Sequence, residues 1–347
     1  MIYFTYMKVT TISTRLIVIQ LMAILLFQCS SIPHYKNQKH FKSMKKTIAP
    51  AFLKTGDTIM IVAPASVLKS TDAIAGGVEL AKKWGLEVMV GEHVFDSLGH
   101  FAGSDADRLS DLQKALDNPS VKAIWMARGG YGTNRIVDKI NFSKFLKNPK
   151  WVIGFSDITV LHNHIHNLGV QTIHANMATG MDSLRDESAV ESLRKALFGE
   201  ELHYELSTSE KNRFGKASGA LVGGNLSILA SLLGTPSDVD THGKILFIED
   251  VGEALYRIDR MMISLKRNGY FDHINGLVVG DFSNIVANEP EFGKTLEEIV
   301  LEAVGDRNIP VLFNFPAGHL PKNNALILGK KISLEVNEEG GIVIFQN

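Results

Sequence analysis

The chain predicts an α/β fold in two parts: a mainly parallel-sheet α/β domain followed by a second α/β domain. Three observations point there. From residue 57 onward, short apolar runs alternate with stretches of helical periodicity. Strands separated by helices imply right-handed crossovers, hence a mainly parallel sheet. Around 182–215 the pattern breaks into polar sequence, and a second alternating series follows. The 347 residues suit one large or two ordinary domains.

The elements follow in order. Thr58 to Ala63 is a buried strand closed by Pro64-Ala65-Ser66. A helix is expected over 71–84, where Ile74, Val78 and Ala81 share a face, although Gly76 and Gly77 weaken it. Leu86 to Val90 is the second strand. Ser104 is a good N-cap for a helix to Leu116. Val121 to Ala127 is the third strand, followed by Arg128-Gly129-Gly130-Tyr131-Gly132 and a helix carrying Ile136, Val137 and Ile140. Lys150 to Phe155 is the fourth. Ser66, the Gly129–Gly132 turn and Ser156 all fall at strand C-termini, where parallel sheets place their sites.

In the transition, a polar helix over 186–198 leads to Leu202 through Leu206. The expected division is 49–181 for the first domain, 182–215 for a linker and 216–347 for the second. The second part opens on Gly219 through Asn225 and a helix to Leu233. A strand from Lys244 to Ile248 ends in Glu249-Asp250. A helix over 253–267, a strand from Gly276 to Gly280, a helix over 294–304 and a strand from Ile309 to Phe313 complete the alternation. Ala325 to Phe345 reads as a hairpin.

Composition narrows the function. A net charge of −1 carries no electrostatic footprint for nucleic acid. One cysteine excludes an intramolecular disulfide framework, no Cys/His spacing spells a zinc site, and no cofactor motif is present. Residues 1–48 read as lying outside the fold. Lys8 and Arg15 precede the apolar run Leu16 to Phe27, which is short for a membrane span and suits a signal-peptide core. Cys29 follows directly, in a context similar to a lipobox except that Gln28 replaces the usual small residue. The expectation is an exported lipoprotein anchored through Cys29. The alternative is a cytoplasmic product starting at Met44.

The candidate chemistry begins at Gly154-Phe155-Ser156-Asp157. A serine at a tight strand-to-helix turn presents its hydroxyl at the sheet end, beside unpaired helix N–H groups. The plain alternative is an N-cap. His162, His164 and His166 alternate but do not share one helix face, so they read as surface or satisfied histidines rather than a metal site. His174 closes a strand and is a candidate to line a cleft. His319 lies on a Pro/Gly loop. Glu249 and Asp250 stand at a strand end, which fixes side chains well, while Asp250 or Glu253 are also candidates to cap the next helix. Arg257, Asp259 and Arg260 read as a solvated or ion-paired face. The Gly129–Gly132 turn matches no phosphate-loop pattern and instead suits close backbone approach to a ligand. Arg128 or Arg135 beside it suits a substrate carboxylate.

Together these segments resemble the LD-carboxypeptidase (muramoyltetrapeptide carboxypeptidase) family of serine peptidases. The resemblance covers about residues 57–340. It rests on Val62-Ala63-Pro64-Ala65-Ser66, Arg128-Gly129-Gly130-Tyr131-Gly132, Gly154-Phe155-Ser156-Asp157, Gly223-Gly224-Asn225-Leu226, Glu249-Asp250-Val251-Gly252-Glu253 and Gly318-His319. It implies an active site in the groove between the two domains. Ser156 matches the nucleophile, Glu249 the triad acid and His319 the base. The implied reaction is cleavage of the bond between an L-configured centre of diaminopimelate or lysine and the terminal D-Ala of a murein tetrapeptide. The backbone N–H groups of Gly130 and Asp157 are the candidates for the oxyanion hole, and Arg128, Tyr131 and Arg135 for substrate binding. Family members often form dimers, so a homodimer is compatible with the resemblance. Relatives also destroy a peptide–nucleotide antibiotic by amide cleavage, which is the alternative enzyme reading. A wall-peptide-binding lipoprotein without turnover is the non-enzymatic one.

Overall fold

Apolar runs with no polar alternation become sheet interiors here. In the computed structural model, which describes residues 47–181 and 186–346, strand β1 (Thr58–Val62) is flanked by β2 (Glu87–Val90) and β3 (Val121–Met126), both parallel to it. Next come β4 (Trp151–Gly154) and β5 (Thr172–His174), also parallel. Only β2, at the edge, is largely exposed. The order 2-1-3-4-5 reverses direction between β1 and β3, which opens a crevice outside their C-terminal ends. Ser66 and the Gly129–Gly132 turn follow those two strands.

The helices over this sheet form where the periodicity places them. Thr71–Ile74 is a 3₁₀ turn leading into α1 (Ala75–Lys83). Helix α2 (Asp105–Asp117) is started by a capping box, in which Ser104 Oγ accepts from Asp107 N and the Asp107 carboxylate accepts from Ser104 N. The stretch after the glycine turn departs from expectation. Two 3₁₀ turns form instead, Thr133–Arg135 and Val137–Lys139, with Ile136 between them, Val137 opening the second and Ile140 just after it, and α3 is the short Ser143–Lys147. Those three residues are buried, so the apolar spacing reports burial without a continuous helix. Helix α4 (Thr159–Asn167) follows β4.

The transition region carries more structure than a linker. Helix α5 (Glu187–Phe198) ends at Gly199, and β6 (His203–Ser207) joins the second sheet as its edge strand. That sheet has the order β10-β9-β8-β7-β12-β13-β6. Its parallel half is β7 (Gly215–Asn225), β8 (Ile245–Val251), β9 (Gly276–Ser283) and β10 (Val311–Leu312). Helices α6 (Leu226–Ser231), α7 (Leu255–Arg267) and α8 (Leu296–Val304) connect these strands. The hairpin expected over Ala325–Phe345 is confined to β12 (Lys331–Val336) and β13 (Gly340–Phe345), and β12 also pairs antiparallel with β7.

Strand β11 (Leu326–Leu328) crosses back to pair antiparallel with β5 of the first sheet. One apolar cluster accordingly runs through both sheets, with Ile59, Trp125, Ile173 and Leu326 on the first and Leu221 and Phe247 on the second, and Phe315 packed with them. The described residues fall within one compact unit, Met44–Asn347. The start of the fold also lies earlier than residue 49. Ile48 N donates to Gly169 O at 2.8 Å, and Thr47 Oγ1 donates to Gly329 O at 2.6 Å. The apolar leader and Cys29 lie outside the described residues. No helix among the described residues is long and apolar enough to cross a membrane.

Candidate active site

Strand β4 is buried along its whole length and stops at Gly154. The chain then turns through Phe155 into a 3₁₀ turn, Ser156–Ile158, that leads into α4. Ser156 has φ +61°, a left-handed conformation that a residue with a Cβ adopts at a cost of about 1–2 kcal/mol. The N-cap reading of Ser156 does not hold, because Phe155 occupies that place and makes no side-chain capping bond. The hydroxyl instead lies 3.1 Å from Nε2 of His319.

His319 comes from the loop after β10. Gly318 before it has φ +134°, and a Cβ there would stand 3.0 Å from Glu249 Oε2, so glycine lets the loop close onto the acid. Nδ1 of His319 lies 2.8 Å from Glu249 Oε2. A carboxylate only accepts, which puts the imidazole proton on Nδ1 and leaves Nε2 facing the Ser156 hydroxyl. The ring packs edge-on to Phe155 at 4.8 Å. Burial pulls the His319 pKa down. The Glu249 hydrogen bond and the negative charges of Glu249, Asp250 and Asp281 outweigh this and hold it above its ordinary value.

Glu249 is fully buried on β8. The β8–β9 register shifts between Ile248 and Asp250, and such a bulge re-aims the residue it contains. Glu249 lies on the strand face shared with Phe247, and Asp250 on the other. Asp250 does not cap the following helix: its carboxylate accepts from Asn225 Nδ2 at 3.1 Å, Val251 N at 2.8 Å and Ser227 N at 2.8 Å, so it secures the start of α6. Burial pushes its pKa up to about 6. Glu253 does not cap either. Ala254 is the N-cap of α7, and Glu253 makes a 3.7 Å ion pair with Arg257. Arg257 and Arg260 both lie over the Tyr256 ring.

The glycine turn flanks Ser156. A Cβ built on Gly129 would lie 3.2 Å from Ser156 Cβ, so the glycine turn sits against the serine. The N–H groups of Gly130 and Asp157 have no acceptor among the described residues. The Asp157 side chain is buried and accepts from Thr133 N at 2.9 Å, tying the Ser156 turn to the end of the glycine turn. Burial raises its pKa against that hydrogen bond and the charge of Arg108.

The three residues assigned to substrate binding have different surroundings. Arg128 donates to Val67 O at 2.8 Å and has no carboxylate partner among the described residues. Tyr131 is exposed, its ring 5.8 Å from that of Phe101. Arg135 is held by Asp105, with Nε to Oδ1 at 2.9 Å and Nη2 to Oδ2 at 3.0 Å, so its charge is already matched.

His174 lies off the surface. It is fully buried, edge-on to Phe155 at 5.8 Å and Phe247 at 4.9 Å, because both sheets close over the end of β5. Burial and the neighbouring His162 and His319 hold its pKa well below the ordinary value. His162 is satisfied inside the fold by Thr172 Oγ1 at 2.9 Å and Gly154 O at 2.8 Å, and His164 meets Ser237 Oγ at 2.9 Å. Among the described residues, the ligand atoms of His93, Asp96 and Asp107 lie within 4.8 Å of one another, on side chains outside the Ser156 array.

Sequence reasoning missed Arg108. It is almost fully buried on α2, donating to Pro64 O at 2.5 Å and Gly132 O at 3.0 Å, and it also pairs with Asp105. It thereby joins the exit of β1 to the glycine turn. The available signal was its place on the stripe of Leu112 and Ala115, where a solvated arginine is out of register.

A serine hydroxyl, an imidazole and a buried carboxylate in hydrogen-bonded series, on a two-sheet α/β frame, have the arrangement of a serine-type hydrolase. The sequence matches the LD-carboxypeptidase N-terminal domain over residues 59–175 and the LD-carboxypeptidase C-terminal domain over residues 218–334. The chain belongs to the LD-carboxypeptidase family and is a serine carboxypeptidase. It is 38% identical over 301 residues to a probable murein peptide carboxypeptidase of Bacillus subtilis, covering 85% of this chain and 93% of that one. The muramoyltetrapeptide carboxypeptidase of Oxalobacter formigenes shares its fold with a TM-score of 0.77 at 27% identity, over 84% of this chain and 99% of that one. The fold is also that of MccF solved with glutamyl sulfamoyl guanosine, with a TM-score of 0.76 at 22% identity over 86% and 98% of the two chains.

Proposed function

We propose that the protein hydrolyses the LD-peptide bond before the terminal D-Ala of murein tetrapeptides through a Ser156–His319–Glu249 triad at the groove between its two α/β parts. The observation that carries this reading is the unbroken series Ser156 Oγ to His319 Nε2 at 3.1 Å and His319 Nδ1 to Glu249 Oε2 at 2.8 Å. His319 removes the Ser156 proton as the hydroxyl attacks the scissile carbonyl, and Glu249 holds the imidazole and stabilises its cation. The Gly130 and Asp157 N–H groups receive the oxyanion, a term of roughly 3–4 kcal/mol per donor. His319 then returns the proton to the leaving D-Ala amine, and water releases the acyl enzyme by the reverse sequence. An exopeptidase must bind the free carboxylate of its substrate. Arg128 suits that task better than Arg135, whose charge Asp105 already matches.

The names of the relatives favour murein peptides, whereas the likeness to MccF, at 22% identity, carries the fold alone. Purified protein is expected to release D-Ala from defined tetrapeptides without added metal. Running diaminopimelate- and lysine-containing substrates side by side fixes the third residue. Absence of D-Ala release from both, with cleavage of a peptidyl-nucleotide amide, would replace this reading with the antibiotic-cleaving one.

We propose further that the chain is exported and anchored through Cys29, on the strength of the apolar run and the cysteine that follows it. Labelled fatty acid should enter the wild-type protein and not Cys29→Ser. Unlabelled wild-type protein in the soluble fraction would support the Met44 start.

A further inference from the structure

The glycine turn beside Ser156 is gripped from its far side by a pair of residues that the triad does not use. Ser66 is buried at the exit of β1. Its N–H donates to Gly129 O at 3.2 Å, and its Oγ accepts from Tyr131 N at 3.1 Å. One residue thus binds the peptide groups on both sides of Gly130. A Cβ at Gly130, where φ is +104°, would lie 2.2 Å from Ser66 Oγ, so the contact requires glycine there.

The direction of the Gly130 N–H follows from this grip. In a trans peptide the carbonyl and the next N–H point in opposite directions. Holding Gly129 O toward Ser66 turns the Gly130 N–H away from Ser66. Ser156 flanks the turn at Gly129, and the Gly130 N–H has no acceptor among the described residues.

Ser66 is itself held. With Oγ accepting from Tyr131, its hydroxyl proton needs an acceptor, and His100 Nε2 lies 2.8 Å away. The loop bearing His100 is pinned to the same segment by Val67 N to His100 O and Ala102 N to Ala65 O, both 3.1 Å. The imidazole also packs edge-on to Phe101 at 5.6 Å.

We propose that Ser66, buttressed by His100, is the positioning residue that aims the Gly129–Gly130 peptide as an oxyanion donor. This rests on the reading of Ser156 as the nucleophile. Neither Ser66 nor His100 touches the reacting atoms, so both act through the backbone. Loss of an oxyanion donor costs about 10²–10³ in kcat, and misaiming one costs part of that.

The test compares Ser66→Ala, His100→Ala and His100→Gln with wild type in two assays. One is D-Ala release from tetrapeptide, resolved into kcat and KM. The other is the rate at which a fluorophosphonate labels Ser156, since its tetrahedral adduct uses the same donor without needing the peptide. Ser66→Ala keeps the main-chain bond to Gly129 O but releases Tyr131 N and the His100 buttress, so the far side of Gly130 is freed. It should lower kcat and the labelling rate together, by roughly 10-fold, with KM within about threefold. His100→Ala should lower both by a smaller factor. His100→Gln should recover most of that loss, because its amide oxygen can accept the Ser66 proton. If Ser66→Ala fails to fold, the two His100 variants carry the test. A folded Ser66→Ala within twofold of wild type in both assays overturns the proposal, as does a rise in KM alone or a His100→Gln no better than His100→Ala. Wild-type protein that labels at Ser156 but releases no D-Ala refutes the substrate reading, and the labelling rates still decide this one.

Discussion

At the scale of residues, the pKa of His319 couples the site's geometry to its pH dependence. In the proposed mechanism the imidazole must be neutral to accept the Ser156 proton, so activity should fall as pH drops through the His319 pKa. Against burial, which lowers it, the Glu249 hydrogen bond and the charges of Glu249, Asp250 and Asp281 hold that pKa above the ordinary histidine value. The acid limb of kcat/KM for D-Ala release should therefore lie on the alkaline side of an ordinary histidine's titration. In Glu249→Gln the limb should move to lower pH, because the nearest charge favouring the imidazolium is gone. The plateau should fall by on the order of 10⁴ through loss of the tautomer lock. An unmoved limb in Glu249→Gln would show that another group titrates there. The sequence nominated the three residues of the proposed triad only as an ordered set. A serine after a strand is commonly a cap and a loop histidine is commonly solvated. What separates them here is φ +61° at Ser156 and the bulge at Glu249, which no local pattern encodes.

At the scale of elements, the site depends on how three strand-exit loops are fastened to one another. Arg108 on α2 joins the exit of β1 to the turn after β3 through Pro64 O and Gly132 O, and Asp157 joins that turn to the exit of β4 through Thr133 N. In Arg108→Met the two carbonyls lose a buried donor at about 1–3 kcal/mol each. Urea unfolding should show a loss of roughly 2–6 kcal/mol, accompanied by slower D-Ala release as the turn loosens. A change below about 0.5 kcal/mol would mean that the loops hold without the arginine. The strands were the most legible elements, because unbroken apolar runs suit only a sheet buried on both faces. The helix expected over 136–140 was not formed. Its apolar spacing is satisfied by two 3₁₀ turns, and the close approach of Gly132 to Arg108 fixes the chain there before a helix can start.

At the scale of the whole molecule, the proposed nucleophile belongs to one sheet and its partners to the other. Glu249 stands on β8, His319 follows β10, and Ser156 follows β4. Packing joins them. Asn225 N donates to Thr159 Oγ1 at 3.0 Å, β11 carries the C-terminal half into the first sheet, and Phe155, His174 and Phe247 pack edge-on in series beside the site. The two-part division was readable from the two alternating series of strands and helices. The exchanges across it, β6 and β11, were not, because three to five residues of strand carry too little periodicity to reveal which sheet they join. The most direct test of the central claim is kcat/KM for D-Ala release in Ser156→Ala, His319→Ala, Glu249→Ala and the triple variant. If the three act as one unit, Ser156→Ala and His319→Ala should each lose at least ~10³-fold, and the triple variant should lose little more than the worst single one. Retention of activity within tenfold by Ser156→Ala, or losses that multiply across the three sites, would contradict it.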